Sequence, residues 1–224
     1  MGMRKLEFVS GEHYHIYNRG VDKRNLFEDD EDLGRFLQSV VEFNDIKTIG
    51  SIYESSRNKN KETKDSLATF VAFCLNPNHF HFILRQEKDS GISKYMHKLL
   101  LGYTKYFNKR HKRTGPLFSG SYKAKLIDNN DYLLHLSAYV NLNNQIHKLE
   151  FGNPVSKFVR SSWRQYSEEM IGAPQIPCET DVVIGQFVDK QEYKAYAEET
   201  AKQIIERREN DDNGEEDSEG LIAA

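Results

Sequence analysis

Two histidines one residue apart, His79 and His81, head an apolar run that continues through Phe82-Ile83-Leu84, just after the turn-forming Asn76-Pro77-Asn78. A β-strand sends successive side chains to opposite faces. Read as a strand, this stretch places His79, His81, Ile83 and Arg85 on one face and Phe80, Phe82 and Leu84 on the other. The second face reads as core. The first sets two imidazoles side by side, which is a chelating geometry. A histidine pair alone is a weak signal, because strand histidines more often pack or meet solvent. The chain holds another such pair, His13 and His15, which we read as structural or substrate-lining.

A phenol joins the imidazoles further along. In a helix read over 130–143, residues four apart share a face, so His135, Tyr139 and Asn143 line up. Laid against the sheet near His79 and His81, that helix brings a metal pair and a phenol together. His135 reads as a second layer around the site or as a solvated residue. Tyr103 and Tyr106 are alternative nucleophiles, but they lie on the apolar side of the preceding helix and read as core. Trp163 reads as packing.

The elements that must position these groups follow from periodicity. His13–Arg19 reads as a first strand. Residues 29–43 read as a helix, with acidic residues at its start and Leu33, Phe36, Leu37 and Val40 at helical spacing. Residues 48–53 suggest a short strand, and the polar stretch 55–66 a flexible insertion. Residues 67–86 form a β-hairpin closed by Asn76-Pro77-Asn78. Residues 90–111 read as a second helix and 117–127 as a strand kinked at Gly120, and Asp128 or Asn129 can cap the third helix. The order β-α-β-β-α-β is the ferredoxin-like, RRM-like α+β arrangement. In it the first and third strands are central neighbours, helices cover one face of an antiparallel sheet, and the other face can stay open. We therefore expect a domain over 1–149, a helical extension over 150–208 and an acidic, disordered tail over 209–224.

Composition bounds the partner. The 224 residues contain no long apolar run and no secretory-type N-terminus. Cys74 and Cys178 form no metal-type pair, so a reducing, cytoplasmic setting without membrane contact is expected. The net charge of −3 conceals segregation: residues 209–219 carry seven acidic groups and no basic one, whereas residues 91–125 carry nine Lys or Arg and no carboxylate. A basic surface of that kind points to an anionic partner, nucleic acid above all.

The motifs together resemble a known family. His79-Phe80-His81 follows Asn76-Pro77-Asn78, and Tyr139-Val140-Asn141-Leu142-Asn143 looks like a Tyr-x-x-x-Asn/Gln helix. Between them Thr114-Gly115-Pro116-Leu117-Phe118-Ser119-Gly120-Ser121-Tyr122-Lys123 resembles a Gly-x-Leu-aromatic-x-Gly-Arg-Tyr-Lys block, with Ser121 where arginine is usual. Tyr14 to Gly20, Asn25-Leu26-Phe27 and Ser161-Ser162-Trp163-Arg164-Gln165-Tyr166 resemble the flanking blocks. In this order they resemble the REP-associated tyrosine transposase branch of the single-tyrosine HUH transposases, over about 13–166.

The resemblance implies a metal-dependent single-stranded DNA endonuclease and strand transferase that acts at hairpin-associated sites. It implies His79, His81 and Asn143 as ligands of Mg²⁺ or Mn²⁺ and Tyr139 as the nucleophile that forms a 5′-phosphotyrosine. The partner implied is single-stranded DNA with repetitive palindromic hairpins, and the protein a monomer or homodimer. An open sheet with aromatic and basic residues suits unstacked bases. The DNA contacts expected are Tyr17, Arg19, Arg24, Lys105, Arg110, Lys123 and Lys125, and the acidic tail could compete for that face. Two other classes fit the same residues: a catalytically inactive, RRM-like single-stranded nucleic-acid binder, and a phosphodiesterase that uses water in place of tyrosine.

Overall fold

The computed structural model describes residues 6–47, 52, 65–149, 156–168, 170 and 172–210. The strand expected at 48–53 and the insertion at 55–66 lie almost wholly outside the described residues, as does the tail beyond Asn210.

Four strands carry the central sheet: β1 (His13–Arg19), β2 (Ala68–Leu75), β3 (His79–Gln86) and β4 (Lys123–Leu126). A two-residue strand from the extension, β5 (Arg160–Ser161), joins the β2 edge, and the order is β4-β1-β3-β2-β5 with every pairing antiparallel. β1 and β3 are therefore central neighbours, in the ferredoxin-like order. Their register sets Tyr17 opposite His81 and Arg19 opposite His79. The strand expected over 117–127 is shorter: Phe118 makes only an isolated bridge to Gly20, and Gly120 turns the chain at a positive φ of 74° that glycine adopts without strain.

One face of the sheet is aromatic. Tyr14, Ile16, Phe70, Phe80, Phe82 and Leu84 are buried there beneath α1 (Asp30–Glu42) and α2 (Gly91–Arg110). Asp29 caps α1 by accepting from the Glu31 and Asp32 amides. A bulge in β2 between Phe70 and Ala72 absorbs one residue. Phe70 and Phe73, an odd number apart, can then face the same core.

The opposite face carries the extension as well as the helix that the sequence places there. It is covered over β2 and β3 by α3 (Asn130–Asn141), α4 (Asn143–Ile146) and the extension, which supplies α5 (Trp163–Ser167), α6 (Asp181–Ile184) and α7 (Lys190–Asn210). Val71, Ala72, Cys74 and Ile83 of the sheet form a second core with Leu136, Val140, Tyr166, Tyr193 and Ile204. The helix expected over 130–143 breaks at Leu142, and Arg160–Ser161 is a strand where the extension reads as helical. An apolar stripe on α7 formed by Tyr193, Ala197, Ala201 and Ile204 must be buried somewhere, and this face takes it. What stays accessible is the β1–β4 side, where Tyr17 is half-buried and Arg19, Lys123 and Lys125 are exposed.

Candidate active site

β3 presents His79 and His81 on the face opposite the aromatic core, and each is held by its own set of neighbours. The His81 Nδ1 lies 2.9 Å from Nε2 of His15. The Tyr17 ring stacks on His81 at 5.6 Å between centroids, and the Tyr139 ring meets it edge-on at 5.5 Å. His81 is 5% exposed, and burial first, then the neighbouring His15 and His79, hold its pKa well below the ordinary value. The same burial, with Lys125 nearby, brings His15 down to about 3. Burial thus favours the neutral form of both imidazoles, the form that ligates metals.

The hydrogen bonds fix the tautomer of His79. Its Nδ1 is 2.6 Å from Asn78 Oδ1, a pure acceptor, so Nδ1 carries the hydrogen and Nε2 presents a lone pair. That Nε2 faces the Asn143 Oδ1 at 3.1 Å, again an acceptor. Two lone pairs thus converge, and the amide nitrogen of Asn76 bridges them at 2.8 and 2.6 Å. Asn143 is fully buried, and its Nδ2 has no hydrogen-bond partner among the described residues.

Convergent neutral donors of this kind suit a divalent cation. Among the described residues, no three His, Cys, Asp or Glu gather into a metal site. A cation here would draw on imidazole nitrogen and carboxamide oxygen, a mixed set that tolerates hard ions. Were His81 to ligate a cation, its contact with His15 would orient the ring.

Tyr139 is 1% exposed on α3. Asn143 follows one turn later, beyond the break at Leu142, and the spacing of four survives that break. The series continues to His147, whose ring lies 5.0 Å from His79. The sequence reading assigned no role to His147, nor any individual role to Asn76 or Asn78. The spacing of four pointed to His147, and strand pairing across the hairpin pointed to Asn76. His135 is half-buried, with its pKa lowered by burial and then by Arg207 of α7.

The expected DNA contacts divide by layer. Tyr17, Arg19, Lys123 and Lys125 share the histidine face, with Lys123 over the Tyr17 ring at 5.8 Å and Lys125 over Tyr132 at 4.5 Å. Arg24 is exposed in the loop after β1. Lys105 is exposed on α2, under the opposite face. Arg110 is clamped by Asp29 at 2.7 Å, Glu31 at 3.0 Å and Asp32 at 2.8 Å. Its guanidinium is paired with carboxylates of α1 and its cap. The alternative nucleophiles lie on that far layer too: Tyr103 is buried and donates to the Leu26 carbonyl at 2.6 Å.

With the geometry in place, two comparisons bear on it. Residues 50–143 match the family model described as transposase, IS200 like, a span that runs through His79, His81 and Tyr139 and ends at Asn143. The fold is similar to a solved structure described as a REP-associated tyrosine transposase bound to a REP hairpin, with a TM-score of 0.50 at 14% identity over 74% of this chain and 84% of that one. No curated protein matches in sequence.

Proposed function

We propose that this chain, which carries the IS200-like transposase family over residues 50–143, is a divalent-metal-dependent single-stranded DNA nickase and strand transferase acting beside DNA hairpins. The observation that carries this reading is the meeting of Tyr139 with His81, while Asn143, one turn on, meets Nε2 of His79. The hairpin partner of the similar fold supports the choice of substrate.

His79, His81 and Asn143 would hold the cation. When bound, Mg²⁺ or Mn²⁺ polarises the scissile phosphate and offsets the charge that develops on it. The Tyr139 hydroxyl attacks phosphorus, a tyrosine–phosphate bond forms, and the bond to the 3′-oxygen breaks. That oxygen leaves as a 3′-hydroxyl after taking a proton, and the phenolic proton passes to solvent. The covalent 5′-phosphotyrosine keeps the energy of the broken bond, so another 3′-hydroxyl can reverse the step and join strands. Tyr17, Arg19, Lys123 and Lys125 would guide the strand, the ring by stacking and the cations on phosphates.

A denaturing gel tests the reading. Full-length protein is incubated with labelled hairpin-bearing single strands from the gene's flanks, with Mn²⁺ or with EDTA. A shifted covalent band that needs Mn²⁺ and is lost in Tyr139→Phe is the expected result. A second reading, a non-catalytic single-stranded nucleic-acid binder, is favoured by the burial of Tyr139, which must be uncovered to meet a phosphate. A native-gel complex with no covalent band would select it.

A further inference from the structure

The hairpin that delivers His79 delivers another polar group to the same point. Asn76 directly follows β2, and its backbone amide donates to the His79 carbonyl at 2.8 Å, so the two residues face each other across the turn. Such pairs share a face of the sheet. Pro77 holds the preceding residue extended, which keeps Asn76 in that register. The Asn76 side chain is fully buried, and its nitrogen touches ligand atoms of two of the three candidate ligands, Nε2 of His79 and Oδ1 of Asn143.

We infer that Asn76 is itself a cation ligand, its carboxamide turning about its last bond so that Oδ1 takes the place of Nδ2. The inference rests on the reading of His79, His81 and Asn143 as ligands. Oxygen and nitrogen of a carboxamide are nearly the same size, so the turn changes hydrogen bonding and leaves packing alone. After the turn, three donor atoms stand 2.6, 2.8 and 3.1 Å apart. Adjacent donors on an octahedral ion with bonds of about 2.1 Å are about 3 Å apart, so the triangle approximates one face of that shell. The far side of the turn is also provided for. Asn76 Oδ1 now lies 3.6 Å from the Cys74 sulfur, and the turned Nδ2 can donate to that sulfur as a weak acceptor. A second carboxamide oxygen moves the donor set toward hard ions and leaves part of the shell to phosphate oxygens.

The test is Mn²⁺ binding, read as free-ion EPR signal during titration of full-length protein without DNA. Wild type is compared with Asn76→Leu and with His79→Ala, and circular dichroism reports folding. Loss of about tenfold or more in Asn76→Leu, with the fold intact, is expected. Affinity in Asn76→Leu within twofold of wild type, or tighter, overturns the inference. Wild type labelled with ¹³C at the asparagine side-chain carbonyl makes the test independent of folding in any variant. Electron–nuclear double resonance on the Mn²⁺ complex should show two strongly coupled carbons, and a single one overturns the inference. If His79→Ala binds Mn²⁺ as wild type does, the metal-centre reading itself falls, an outcome distinct from retained affinity in Asn76→Leu alone.

Discussion

Each histidine of the candidate centre is held by a group that the metal would not touch. The contact between His81 Nδ1 and His15 Nε2, at 2.9 Å, directs the other ring nitrogen of His81 away from β1. Replacing His15 with leucine leaves that Nδ1 buried without a partner and the ring free to rotate. Loss of a second-layer partner usually weakens metal binding by about ten- to a hundredfold. His15→Leu should lower Mn²⁺ affinity by that factor in a calorimetric titration while the circular dichroism spectrum is unchanged. His15 was visible in the sequence as half of a histidine pair, but not as a partner of His81, because strand alternation gives a face and not a register. Asn78 belongs to the same class of residue. Its oxygen at 2.6 Å from His79 Nδ1 fixes which nitrogen is presented. Asn78→Ala should weaken Mn²⁺ binding less than His79→Ala does in the same titration.

At the scale of elements, the site depends on α3 lying flat against β3, and α7 holds it there. The Tyr193 hydroxyl accepts from Asn141 Nδ2 at 2.8 Å and lies 3.1 Å from Ser137 Oγ, joining α7 to α3 on the side away from the histidines. Asn141 Oδ1 in turn accepts from Ser162 at 2.6 Å, and Ser162 Oγ accepts from the Phe73 amide at 2.9 Å. All four side chains are fully buried. Tyr193→Phe strips one member from this chain of bonds and leaves the Asn141 amide unsatisfied. Such a loss costs about 1–3 kcal/mol, measurable as a lower urea midpoint with an unchanged slope. The start of α3 has its own support, since Asn129 Oδ1 accepts from the Tyr132 amide at 2.8 Å. Asn129→Ala should cost about 1 kcal/mol in the same assay.

Over the whole molecule, the basic run 91–125 is one stretch of sequence but two surfaces. Its β4 lysines, Lys123 and Lys125, share the face of His79 and His81, while Lys105 and Arg110 belong to α2 under the opposite face. Binding of a single strand to the histidine face should follow that division. Each phosphate contact contributes about 0.7 to the slope of log affinity against log salt for single strands. A Lys123→Ala, Lys125→Ala double variant should therefore flatten the slope by about 1.4 in fluorescence anisotropy, and Lys105→Ala should leave it unchanged. No helix among the described residues is long and apolar enough to cross a membrane.

The sequence by itself determined β1, β2 and β3, their faces and the spacing of chemistry along them. Period two in His79–Gln86 separated imidazoles from phenylalanines, and a spacing of four placed Tyr139 and Asn143 on one side of a helix. These are local properties, written in neighbouring residues. Only the tertiary structure decided what lies across from each group: His15 and Tyr17 on His81, Asn76 and Asn143 on His79, and three carboxylates on Arg110. It also closed a face that the ferredoxin-like order leaves free, because the apolar stripe of α7 needed a surface and the stripe does not name its partner. A backbone pattern fixes where a side chain points, whereas contacts between distant segments follow from packing of the whole chain, which no short spacing encodes.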